Sequence, residues 1–139
     1  MSGYSKRKGT HYERELKHML EERGFFVTRA SGSGSDGVSP DLVVLSTTRK
    51  FALECKAWKA QSVRIEKKKW EIMSAWEKMT GMPIFLAWKQ PRRPWTFLPL
   101  SSLREAGESF VADEALARAG MDFDTVIGKQ KQPPQETRA

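Results

Sequence analysis

Apolar positions along the chain recur with two periods, one of about 3.6 residues and one of about two. Tyr12, Leu16, Met19 and Leu20 lie at i, i+4, i+7 and i+8, the stripe of an amphipathic helix. Thr10-His11-Tyr12-Glu13 has the form of a capping box at its start, and Gly24 stops it. Residues 1–9 ahead of it are polar and basic and read as a flexible arm. Residues 25–29 form a first strand. Two apolar runs, 40–45 and 51–56, are joined by the short polar stretch Ser46-Thr47-Thr48-Arg49-Lys50, the pattern of an antiparallel hairpin. Residues 65–80 read as a second helix, with Lys69, Trp70, Met73, Trp76, Glu77 and Thr80 on one mixed face and Gly81 at its end. Strands at 83–89 and 95–98 flank the basic turn Gln90-Pro91-Arg92-Arg93-Pro94. Residues 101–105 suggest a helical turn, and Phe110 and Val111 a small extended piece. From residue 128 the chain is polar, contains Pro133-Pro134, and reads as a disordered tail. The order predicts an α/β fold: one domain over 1–127, with a central mixed β-sheet flanked by helices.

The hairpin carries the candidate chemistry. With its turn centred near Thr47 and Thr48, Asp41 falls opposite Glu54, and opposed residues have Cβ atoms about 4.5–5.5 Å apart. Two carboxylates at that spacing repel unless a cation lies between them or one is protonated. Alternation puts Lys56 on the face of Glu54 and turns Leu53 and Cys55 the other way. Oxygen ligands with no histidine nearby favour Mg²⁺ or Mn²⁺ over Zn²⁺. A metal held there polarises a phosphate and lowers the pKa of a bound water, and the lysine holds that water or stabilises charge on the phosphate. The plainer reading is a half-buried hairpin whose few charges reach solvent. The conjunction of both acids and the lysine on adjacent apolar strands is the stronger signal.

Charge widens the picture. Lys and Arg number 24 against 17 Asp and Glu, a formal excess of +7. That suits a polyanionic partner, nucleic acid first and an acidic membrane surface second. No apolar run approaches the roughly 20 residues that span a bilayer, and no signal peptide is visible. The single cysteine, Cys55, excludes an internal disulfide and fits a reducing interior. A cytoplasmic placement is expected, whether the chain is cellular or virus-encoded. Lys6-Arg7-Lys8 reads as a solvated tail or a phosphate-binding arm, and Arg64 with Lys67, Lys68 and Lys69 as a solvated face or a track for a sugar-phosphate backbone. The Ser/Gly-rich stretch 30–40 has a linker's composition, yet it delivers the chain to Asp41, a position that suits a functional loop. Glu13 serves as a helix cap or as a third carboxylate. His11 and His18 read as surface residues.

Pro40-Asp41 followed by Glu54-Cys55-Lys56 resembles the PD-(D/E)xK nuclease superfamily. Further blocks extend the likeness from about residue 6 to 127: Arg7-Lys8-Gly9-Thr10, Glu13-Arg14, Gly24-Phe25, Arg29-Ala30-Ser31-Gly32-Ser33 and Phe97-Leu98-Pro99-Leu100. With them the chain is similar to the archaeal-type Holliday junction resolvases, the Hjc group. The resemblance implies a restriction-endonuclease-like core. Asp41 and Glu54 become metal ligands, Lys56 the catalytic lysine, and Glu13 the first-helix acid that completes the metal shell and serves catalysis. Ser31 becomes the catalytic loop serine, with Ser33 a close competitor. Together with the charge pattern, it makes Lys6, Arg7, Lys8, Arg29, Ser33, Arg64, Lys67, Lys68 and Lys69 the DNA-binding candidates. It further implies Mg²⁺, with Mn²⁺ able to substitute and no other small-molecule cofactor, and a homodimer that nicks four-way junction DNA symmetrically and leaves ligatable ends. A repair or restriction nuclease, or a non-catalytic DNA-binding module of this fold, are the alternatives. The chain departs from the group at Lys69, where a glutamine is frequent, at Cys55, where aliphatic residues are usual, and in its five tryptophans. Of these, Trp70, Met73 and Trp76 are expected to pack on the sheet, and Trp88 and Trp95 are candidates for a subunit contact.

Overall fold

The two runs of the hairpin lie at the heart of a mixed five-stranded sheet. The computed structural model describes residues 3–29, 39–57 and 61–128, with residues 3–10 as backbone alone. In chain order the elements are α1 (Gly3–Glu22), β1 (Phe26–Arg29), β2 (Leu42–Leu45), β3 (Lys50–Ala57), β4 (Ser62–Glu66), α2 (Lys67–Thr80), β5 (Ile84–Lys89), β6 (Thr96–Pro99), a 3-10 turn (Leu100–Ser102), β7 (Arg104–Ala106), β8 (Ser109–Asp113), α3 (Glu114–Ala119) and α4 (Phe123–Val126).

The main sheet runs β1-β2-β3-β5-β6, and β3 with β5 is its parallel pair. A parallel pair needs a crossover, which β4 and α2 provide. Strands covered on both faces read as continuous apolar runs, and Ile84 through Trp88 are all buried. One face packs on α1 and α4. Leu16 and Leu20, fully buried, meet Val27, Leu42, Val44 and Leu53, with Tyr12 and Met19 at the margin. The expected stripe is therefore the one that seats α1. Burying each leucine contributes about 1.5–3 kcal/mol. The helix ends through Gly24, whose φ of 90° suits a residue without Cβ.

The other face packs on α2 and on a second, three-stranded sheet of order β4-β8-β7. Met73 is buried, and Trp76 packs against the same cluster. Trp70 stacks on Phe110 with ring centroids 4.1 Å apart, and its indole N–H donates to the Leu100 carbonyl at 3.1 Å.

Several expectations are corrected. Helix α1 starts at Gly3, so Thr10 lies inside it and is no cap, and the backbone of 3–9 is helical rather than a loose arm. A capping box is a local preference that a continuing helix overrides. Residues 62–66 are strand, so residues 65 and 66, expected to open the second helix, precede it. Val63 and Ile65 are buried while Arg64 and Glu66 are exposed, the period of two, and their partner β8 lies far along the chain. The turn expected at 101–105 is a 3-10 turn that passes into β7. Trp88 and Trp95 are 0% and 4% exposed. They belong to the chain's own core, where they pack inside its two apolar clusters. Among the described residues no helix is long and apolar enough to cross a membrane.

Candidate active site

Strand β3 is the axis of the site, and Glu54 is the buried charged residue of an otherwise apolar core, at 2% exposure. Its neighbours fix its direction. Ala52 packs on the α2 side and Leu53 on the α1 side, so alternation sends Glu54 and Lys56 toward α2. Lys69, in the first turn of α2, places its Nζ 2.7 Å from Glu54 Oε2. The other carboxylate oxygen, Oε1, is buried with no hydrogen-bond partner. A buried acceptor left bare costs about 1–3 kcal/mol, and it fits a place where a cation would sit.

Asp41 stands just ahead of β2. Leu42 pairs with Leu53, and one step further along this register Asp41 faces Glu54. Its Oδ2 accepts the Cys55 backbone N–H at 2.8 Å. Burial, and then the charge of Glu54, push Asp41 up to about 7, against the restraint of that N–H. Glu13 comes from the α1 layer. Its Oε1 accepts from Arg29 Nε at 3.4 Å. Burial raises Glu13 against the pull of Arg29, and Glu54 adds to the rise. Burial pulls the Lys69 ammonium down, but Glu54, by charge and hydrogen bond, outweighs it and sets Lys69 above its ordinary value. Burial, and then Asp41, Glu13 and Glu54, drive the Cys55 thiol well up, which makes it unreactive.

Lys56 is half-buried and lies beside Trp88 in the β3–β5 register. With Ser62, Val63 and Arg64 it lines a pocket. Arg64 and Lys68 are exposed, and Lys67 pairs with Glu105 at 2.7 Å. Ser31 and Ser33 lie outside the described residues, as do the side chains of Lys6, Arg7 and Lys8.

The fold thus gathers Asp41, Glu54, Lys56 and Glu13 where β2 begins and β3 ends, between two helical layers. Arg29 is engaged with Glu13 as well as being a DNA candidate. Lys69, grouped by sequence with a basic track, sits on Glu54 instead. Reading residues 65 and 66 as helix obscures the first turn on which it stands. Among the described residues no three acid, histidine or cysteine side chains form a ready-made metal cage. The donor set still suits a hard divalent cation. Two carboxylates oppose each other, a third is within electrostatic reach, and one buried oxygen is bare.

Comparison with known proteins places this arrangement. The family model described as archaeal Holliday junction resolvase (hjc) matches residues 4–134. The crossover junction endodeoxyribonuclease Hjc of Archaeoglobus fulgidus is 31% identical over 125 residues, 89% of this chain and 92% of its own length. Its namesake from Methanocaldococcus jannaschii is 34% identical over 126 residues, 91% of each chain. A solved structure of Archaeoglobus fulgidus Hjc, described as a Holliday junction resolvase from an archaeal hyperthermophile, superposes with a TM-score of 0.81 at 29% identity, covering 90% of this chain and 99% of that one. The likeness spans both sheets and every element that supplies Glu13, Asp41, Glu54 and Lys56, and the chain belongs to the archaeal Holliday junction resolvase (Hjc) family.

Proposed function

We propose that this chain is a divalent-metal-dependent endonuclease that cuts four-way DNA junctions, acting as a homodimer in the cytoplasm. The observation that carries the reading is the opposed pair Asp41 and Glu54, with Lys56 on the same face, in a member of this family. Asp41 and Glu54 would hold the ion, Mg²⁺ or Mn²⁺, and Glu13 would complete its surroundings. When bound, such an ion neutralises the acids, polarises the phosphate and makes water more acidic.

The chain's own groups do the rest. Lys56, braced beside the buried Trp88, presents an ammonium to the attacking water or to the charge that builds on phosphate oxygen. Arg64 and Ser62 border the pocket by Lys56 and receive a neighbouring phosphate of the same strand. Exposed Lys68 adds attraction along the backbone. Arg29 holds the Glu13 carboxylate toward the site. Hydrolysis adds water across one P–O bond and leaves a nick. A two-fold dimer sets two such sites against a roughly two-fold junction, so two strands are cut in one encounter.

The test is cleavage of a synthetic four-way junction, beside a linear duplex of equal length, with Mg²⁺, with Mn²⁺ and with EDTA. Paired nicks in the junction that require metal are expected. Equal cutting of the linear duplex, or no junction cutting with either ion, would overturn the proposal.

A further inference from the structure

The cation that the fold places on Glu54 belongs to Lys69, a residue on a different element from the Lys56 that shares the Glu54 strand. The two ends of this pair differ in setting. The Glu54 side chain is 3% exposed and that of Lys69 46%. Lys69 also stands in the first turn of α2, near the positive end of the helix dipole, with no acidic residue in that turn. A lysine there is electrostatically unfavourable unless an anion holds it. Glu54 is that anion, and Asp41 adds to the attraction.

We propose that Lys69 is a tethered counter-cation that occupies one oxygen of Glu54 while metal is absent and competes with the divalent ion for that carboxylate. This rests on the reading that Asp41 and Glu54 take such an ion. The ammonium half-neutralises the acid pair, so the site is preformed but weakened as a metal site. Its exposure gives it somewhere to go, and an arriving phosphate is the natural acceptor. Metal and DNA then favour each other. Phosphate draws Lys69 off the carboxylate, the freed carboxylate takes metal, and the effect is reciprocal. Lys69 is thus a positioning residue that times metal entry to the presence of substrate. A neutral amide at this position would hydrogen-bond the carboxylate without competing for it.

Isothermal titration of Mn²⁺ into the full-length wild type, Lys69→Gln, Lys69→Arg and Asp41→Asn, without DNA, tests this. Removing a unit positive charge from contact with a ligand oxygen should tighten Mn²⁺ binding by about tenfold or more in Lys69→Gln. Lys69→Arg should bind as the wild type does, and Asp41→Asn should bind far more weakly. Added uncleavable junction, with phosphorothioates at the cut sites, should tighten Mn²⁺ binding to the wild type more than to Lys69→Gln. Melting gives a readout if Lys69→Gln is unstable: without metal it should melt below the wild type, and Mn²⁺ should raise its Tm by more. Equal or weaker Mn²⁺ binding by Lys69→Gln, with Asp41→Asn impaired, sinks the role of Lys69 and leaves the metal site standing. No Mn²⁺ binding to either the wild type or Lys69→Gln sinks both.

Discussion

The unequal exposure of the Glu54–Lys69 pair predicts an unequal response to removing its two halves. In Lys69→Met without metal, Glu54 loses its cationic partner in a site almost closed to water. Deleting one partner of a fully buried pair costs about 3–5 kcal/mol. Here the lysine side chain is 46% exposed, so solvent already screens the interaction from one side. Halving the cost to about 2 kcal/mol is the matching discount. Glu54→Gln does the reverse. It keeps the packing, relieves Asp41 of its nearest repulsion, and leaves an ammonium that reaches water by rotating, so its cost should stay below about 1 kcal/mol. The double variant should resemble Glu54→Gln alone, because no buried charge is left to orphan. Urea unfolding of the four proteins in EDTA near neutral pH measures this as a double-mutant cycle. Equal losses in the two single variants, or a larger loss in Glu54→Gln, would refute an asymmetry rooted in solvent access.

Three further outcomes are expected. Asp41 in the folded, metal-free protein is raised from an ordinary 3.8 to about 7, so its contribution is fully present below 3.8 and is lost as pH climbs to about 7. Stability measured in EDTA should therefore fall across that window, and Asp41→Asn should flatten the fall. Asp41→Ala should abolish junction cleavage while gel-shift binding of the junction survives, because the change removes negative charge facing phosphate; retained cutting would remove Asp41 from the site. Replacing Arg64 and Lys68 together by alanine should weaken junction binding and flatten its log–log salt dependence by up to about 0.9 for each phosphate no longer neutralised, read by fluorescence anisotropy across salt concentrations.

Much of the site is legible in the chain because its core is local. Asp41 and Glu54 meet through one hairpin, whose register follows from a short polar turn and two apolar runs, and Ser46 N–H donates to the Arg49 carbonyl at 2.8 Å to close it. The stripe that seats α1 is equally plain, since it obeys one period over about two turns. What sequence periodicity does not supply is the pairing of segments far apart in the chain. Strand β4 is too short to show its alternation against the basic run that follows, and its partner β8 lies beyond α2, β5 and β6. Reading the helix as starting at residue 65 hides the turn on which Lys69 stands. Trp88 and Trp95 read as candidates for a subunit contact because one sequence does not reveal that both sheet faces are covered. Capping chemistry at Thr10 is a true local signal that loses to a helix already under way.

The site draws on α1 for Glu13, on the β2 entrance for Asp41, on β3 for Glu54 and Lys56, and on α2 for Lys69, with β5 beside β3 to bury the floor. During synthesis, then, a ribosome-bound chain that ends before α2 has no way to assemble the acid cluster with its counter-cation. One that ends before β5 leaves Glu54 open to water. The counter-cation and the buried floor thus join the acids late, with α2 and the closing of the sheet.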